Sequence, residues 1–108
     1  TDHPGQRSVK DITMVAETEG LMARIFTLGP GEIIDWHQHT EVTDWYTCLR
    51  GLLRVETRSP DRYDILQPGE MTTVPSQTTH HVSNIGDGDC QFQILQGVGK
   101  YDFNPVTD

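Results

Sequence analysis

Apolar and polar residues alternate in short runs along this chain, and turn residues cut the runs at frequent intervals. Runs rich in β-branched and aromatic side chains occupy positions 21–28, 32–37, 44–49, 52–58, 63–66, 71–74, 80–84 and 90–96. Between them fall Glu19-Gly20, Gly29-Pro30-Gly31, Arg50-Gly51, Ser59-Pro60-Asp61, Pro68-Gly69 and Gly86-Asp87-Gly88. A period of two marks half-buried strands, and closely spaced turn signals predict a sandwich or barrel. Only Val9, Ile12 and Ala16 show a helical spacing, and a strand over 12–16 competes with it. Residues 101–105 read as an irregular closing segment or an extra edge. The predicted fold class is all-β, in one domain spanning 1–108.

Composition narrows the function classes. Hydrophobic residues are 34% of the chain, and ten glycines bring the balance to that of a globular protein. No apolar run approaches a membrane span. Sixteen acidic residues face eight basic ones, a net charge of −8, which argues against nucleic acid and anionic membrane surfaces as partners. Thr1-Asp2-His3-Pro4-Gly5 has no basic-then-apolar pattern, so the expected location is cytoplasmic. The absent initiator Met leaves room for a removed leader. In that compartment Cys48 and Cys90 are expected to be free thiols, with a disulfide as the alternative.

The histidines carry the chemistry. His37-Gln38-His39 places two imidazoles on one face of a strand, with Gln38 on the other. His80 arrives much later in the chain, with His81 on the opposite face. If the strand of His80 lies across a barrel from that of His37, three imidazoles can converge on one ion. Imidazole nitrogen suits zinc, copper, iron and nickel. A His-x-His pair by itself is as readily a solvated or core pair, so the residues around it decide.

Those residues resemble two motifs of one family. From Gly31 through His37 and His39 to Gly51, the chain resembles the first cupin motif, with Asp44 at the position where the family has Glu. From Gly69 through Pro75 and His80 to Asn84, it resembles the second, with Gln77 where the family has Gly. The first motif spans 31–51 and the second 69–84, and the chain is similar to small single-domain cupins.

The resemblance implies a jelly-roll β-barrel of about six to eight strands, often a homodimer, with a metal inside one mouth. Its ligands would be His37, His39, Asp44 and His80. The metal would be one divalent transition ion, iron, manganese, nickel or zinc. Asp is shorter than Glu by about 1.5 Å of reach. Asp44 is therefore expected to bind directly after backbone adjustment, to act through water, or to stand behind the ligands. Glu41 is a nearer acidic alternative. Gln77 is expected to sit in a conformation that needs no glycine.

Alternation extends the pocket. Tyr46 and Cys48 share the phase of Asp44, and Val82 and Asn84 share that of His80. Tyr46 is the candidate catalytic residue, as hydrogen-bond donor or proton shuttle, with a core aromatic as the plainer role. His81 is a second candidate for moving a proton. Cys48 is a soft contact or an inert buried thiol. Trp36 and Trp45 fall on the outward register, packing between sheets or against a second subunit. Arg24, Arg50 and Arg54 are cations that can meet a carboxylate ligand or simply face solvent.

The resulting expectation is a metal-dependent enzyme acting on a small polar metabolite, as dioxygenase, isomerase or lyase. The alternative is a non-catalytic binding or sensing module with a structural or vestigial metal.

Overall fold

Ten strands carry the regular structure of residues 9–106, the part of the chain described by the computed structural model. His3 lies outside these residues. The strands are β1 (Asp11–Thr18), β2 (Leu21–Leu28), β3 (Ile33–Gln38), β4 (Thr43–Arg50) and β5 (Leu53–Thr57), followed by β6 (Arg62–Leu66), β7 (Met71–Val74), β8 (His80–Asn84), β9 (Cys90–Gly97) and β10 (Asn104–Pro105). They form two five-stranded antiparallel sheets, ordered β1-β2-β9-β4-β7 and β10-β3-β8-β5-β6. Neighbours in each sheet are mostly distant in sequence, as in a jelly roll. No helix among the described residues is long and apolar enough to cross a membrane.

The expected runs and the observed strands agree within a residue or so from β2 to β9. The two additions lie at sheet edges. β1 is exposed along its whole length, and Ile12, Met14 and Val15 remain 39%, 47% and 52% exposed. An edge strand with no buried face has no alternation to read, which is why its pattern fitted helix and strand alike. β10 pairs only two residues, Asn104 with Gln38 and Pro105 with His37.

The interior is graded from apolar to polar along the barrel. Phe26 and Phe92 stack at 5.5 Å between ring centroids, and Leu28, Leu53, Val55 and Val82 close around them. Each such side chain contributes about 1.5–3 kcal/mol by leaving water. Toward the other mouth the inward positions turn polar: Asp44 on β4, Gln96 on β9, Arg24 on β2 and His80 on β8, all buried. Asp44 and Gln96 are direct partners in the β4–β9 ladder, so the gradient is shared between strands.

Backbone geometry at two turns holds the strands in place. Gly51 has φ 84°, and a Cβ there would meet Asp89 O at 2.8 Å, so the exit from β4 needs glycine. Gln77 also has a left-handed φ of 62°. This corrects the expectation that the substituted turn would avoid that conformation. Its N–H donates to His39 O at 2.7 Å, a bond that fixes the turn against the loop after β3.

Candidate metal centre

A bulge between Ile34 and His37 lets β3 place both an aliphatic and its histidines on the inner face. Ile34 and His37 are an odd number of residues apart, so plain alternation would put them on opposite faces; the extra residue restores the phase. His37 then lies opposite His80 in the β3–β8 ladder, so the two strands are neighbours in one sheet and not across the barrel as expected. His39 follows just beyond the strand, and Asp44 enters from the start of β4 in the other sheet. One ligand atom from each of the four lies within 4.8 Å of every other. Their exposures are 2%, 3%, 1% and 1% for His37, His39, Asp44 and His80.

The backbone sets the imidazoles' protons. His37 Nδ1 contacts Asp35 O at 2.6 Å, His39 Nδ1 contacts Asp102 O at 2.6 Å and His80 Nδ1 contacts Thr78 O at 2.7 Å. A carbonyl only accepts, so each Nδ1 carries a proton and each Nε2 is the nitrogen turned inward. Burial, helped by the charge of His80, lowers the His37 pKa to about 3, which keeps that ring neutral. For His39 burial works in the same direction, but the close approach and charge of Asp44 outweigh it and the net shift is upward. His39 Nε2 lies 3.3 Å from Asp44 Oδ2, yet is off line for a hydrogen bond and has no partner.

Asp44 is ionised. Burial opposes this, but His39 and His80 pull its pKa well below the usual carboxylate range. Its Oδ2 lies 3.1 Å from His80 Nε2 and accepts Tyr46 Oη–H at 2.9 Å. Its Oδ1 accepts Gln96 Nε2–H at 3.0 Å, and Gln96 Oε1 in turn accepts from Arg24 Nη2 at 2.6 Å. Three imidazole nitrogens and one carboxylate oxygen around a common buried point fit one divalent transition ion. The unpartnered Nε2 of His39 has no other use in the fold.

The sequence of residues 24–98, well over half of the chain, matches the cupin domain family. The chain belongs to that family. No curated protein matches the sequence significantly. Solved cupin-like structures do. Oxalate decarboxylase from Bacillus subtilis superposes with a TM-score of 0.80 at 20% identity, over 97% of this chain and 30% of its own. This cupin therefore spans about 30% of the length of the oxalate decarboxylases it matches. A protein with a double-stranded β-helix domain from Klebsiella pneumoniae matches with a TM-score of 0.76 at 19% identity, over 100% of this chain and 89% of its own. Peruvianin-I, a cysteine peptidase from Thevetia peruviana latex, matches with a TM-score of 0.79 at 17% identity, over 97% of this chain and 72% of its own. At such identities the likeness shows the fold.

Of the other residues singled out in the sequence, Tyr46 and Arg24 line the cupin's metal pocket. Cys48, Val82 and Asn84 face inward as alternation requires, but further along the barrel, at about 3.3 Å of rise per residue. Cys48 is a free thiol whose Sγ faces the carbonyls of Arg50 and Gly51 at 3.8 and 3.6 Å. Cys90 is also free, and burial and its neighbour Cys48 push its thiol up to about 12. Val82 belongs to the apolar core, and Asn84 donates to Leu28 O and Gly88 O at 2.9 and 2.8 Å. Glu41 is exposed and accepts Lys100 N–H at 3.0 Å, away from the ligands. His81 sits on the outer face with Trp36, ring centroids 5.2 Å apart, so it is no proton carrier for the pocket. Arg58 covers the same Trp36 ring at 3.9 Å. Arg50 is exposed, and Arg54 lies over the Tyr63 ring at 4.4 Å.

Arg24 was read as a cation for a carboxylate ligand or a solvent-facing charge, while Gln96 and the role of the closing segment went unread. Arg24 is 9% exposed and lines the pocket rather than the surface. Gln96 is its partner. The closing segment follows β9 and straps across the mouth: Phe103 stacks on His37 at 4.4 Å, and Tyr101 lies 5.4 Å from His39. Asp102 receives the His39 proton on its carbonyl and Thr40 N–H on its carboxylate at 2.8 Å. The signal for Arg24 and Gln96 was a polar residue on the phase of Phe26 and Leu28, or of Phe92 and Ile94. Beneath the strap the cavity beside the ligands is about 10 Å³, room for one water. A cavity of about 560 Å³ adjoins it, with Gln96 and Tyr101 lining both.

Proposed function

We propose that this cupin is a metal-dependent enzyme acting on a small polar metabolite, by oxygenation, isomerisation or lyase chemistry. The observation that carries the reading is the set of three Nδ1–carbonyl bonds. They turn three Nε2 atoms toward the point that the Asp44 carboxylate faces. A divalent ion held there would act as a Lewis acid toward an oxygen of the ligand. Asp44, ionised and fixed by Tyr46 and Gln96, supplies the negative charge. Burial, chiefly, raises the Tyr46 hydroxyl well above its ordinary value, so at neutral pH it remains a donor and positions Asp44. The strap of Tyr101 and Phe103 excludes water from the histidines. Iron would favour a dioxygenase; manganese, nickel or zinc would favour an isomerase or lyase. The likeness to oxalate decarboxylases supports the lyase reading as a fold-level analogy.

The narrowness of the inner cavity favours a second reading, in which the ion only braces the barrel. One experiment separates the two. Elemental analysis of the purified protein identifies the metal, and reconstitution with Fe(II), Mn(II), Ni(II) or Zn(II) is followed by oxygen uptake and substrate loss. Turnover with one metal supports the enzyme. Stoichiometric metal with no turnover on chelating acids or sugars supports the brace.

A further inference from the structure

Arg24 occupies an unusual place for a cation. It is 9% exposed, and its Nε–H is buried without a partner. Nη2 reaches the neutral amide oxygen of Gln96 at 2.6 Å. The guanidinium lies 5.0 Å from the Tyr101 ring centroid and 5.1 Å from that of Phe26. No carboxylate among the described residues pairs with it directly; Asp44 is reached only through Gln96. A buried charge without a direct counter-ion is costly, and a guanidinium presents its donors as a planar fork that matches a carboxylate.

The charge balance of the pocket points the same way. Asp44 brings one negative charge to it. Arg24 cancels that charge before any divalent ion is added. A loaded pocket therefore carries surplus positive charge in a buried volume, which an anionic ligand would balance.

Space decides what kind of anion. The inner cavity of about 10 Å³ cannot hold the body of an organic molecule. The adjoining cavity of about 560 Å³ can, and Leu21, Met22, Val42 and Val98 give it apolar walls. Glu17, Glu19 and Lys100 also line it. Tyr101 stands between the two spaces, half-buried, in the irregular stretch that joins β9 to β10. A turn of that one side chain would join them and uncover Arg24.

We infer that the ligand of this site is an organic acid whose carboxylate is anchored by Arg24 and whose apolar body fills the outer cavity, with Tyr101 as the partition it displaces. This rests on the pocket being the ligand site of the proposed function, and it names the class of ligand.

The test is calorimetric titration of the whole protein with acetate, butanoate and hexanoate, and with their primary amides, metal content being measured in each sample. The acids bind and the amides bind at least tenfold more weakly. Affinity for the acids rises roughly fourfold per added methylene, the value of burying one CH₂. Arg24→Gln, at unchanged metal content, loses roughly ten- to hundredfold for hexanoate, the worth of a charged hydrogen bond. Arg24→Lys recovers part of that loss, and Tyr101→Ala speeds association. Equal affinity of hexanoate for the wild type and Arg24→Gln overturns the anchor, and so does equal binding of acid and amide. Absence of binding by all three acids also overturns the inference. If Arg24→Gln does not fold, the wild-type comparison of acid with amide, and Arg24→Lys, decide it. Repeating the titration on chelator-treated protein separates the two readings. An acid preference that persists without metal and still depends on Arg24 keeps the anchor even where the elemental analysis defeats the metal-dependent enzyme.

Discussion

Tyr46 Oη donates to Asp44 Oδ2 at 2.9 Å, and that same oxygen lies 3.1 Å from His80 Nε2. The two residues are neighbours on the inner face of β4, so one strand supplies both the carboxylate and the group that orients it. Tyr46→Phe removes the donor while keeping the ring. We expect metal affinity to fall by roughly tenfold, as for other partners that orient a ligand. Unfolding free energy should fall by about 1.5–3 kcal/mol, the range for a hydrogen bond to a charged group. Competition with a chromophoric chelator and urea unfolding measure the two effects.

The ligand set makes a sharper demand. His37→Ala, His39→Ala and His80→Ala should each cost more metal affinity than the roughly 10–100-fold that outer partners cost. Full metal occupancy in His80→Ala protein would defeat the assignment. Asp44→Asn keeps the shape and removes the charge. A loss comparable to that of the histidine variants makes Asp44 a ligand, whereas unchanged affinity places it behind them.

Stability of the chelator-treated protein should depend on pH in a defined direction. The folded pKa of His37 is about 3 against an ordinary 6.5. As pH falls through 6.5 the unfolded chain takes up that proton and the folded protein does not, so stability is lost between pH 6.5 and 3, at about 1.4 kcal/mol per unit. The Asp44 pKa is depressed from 3.8, so its contribution is present above that value and lost on further acidification. The His39 pKa is raised, so its contribution is full below 6.5 and is lost as pH rises through the folded value. The cluster thus contributes most near pH 6.5. Urea midpoints across pH 4–9 read the curve, and a monotonic rise throughout would contradict the His39 direction.

Much of this site was legible because it obeys alternation. His37 and His39, Asp44 and Tyr46, and the order of the two motifs led to the four clustered ligands. What alternation cannot show is a change of phase, and the bulge between Ile34 and His37 is one. It also cannot say how far along a barrel an inward residue lies, so Cys48, Val82 and Asn84 were grouped with the pocket although they sit deeper. Arg24 and Gln96 carried a readable signal, a polar side chain on an apolar phase, but arginine and glutamine mostly face solvent. The strap was unreadable because its order comes from contacts between Asp102 and the His39 region, far apart in sequence.

Gln77 offers a test of backbone chemistry apart from the metal. A non-glycine residue at φ 62° crowds its Cβ against the following carbonyl, at about 1–2 kcal/mol. Gln77→Gly relieves that crowding and adds freedom to the unfolded chain, which offsets part of the gain. The weak Nε2 contact to Thr40 O at 3.5 Å is lost as well. We expect a net gain of roughly 0.5–1 kcal/mol in chemical denaturation. A Gln77→Val variant, β-branched at a left-handed position, should lose stability.

Asp102 O holds the Nδ1 proton of His39, so the last stretch of the chain completes a metal ligand. Docking of the tail and capture of the ion are therefore reciprocal: each must strengthen the other by the same factor, whichever comes first. A molecule grasping residues 101–105 from outside would loosen the ion without touching it. In the opposite sense, ion loading would shield those residues from carboxypeptidase digestion.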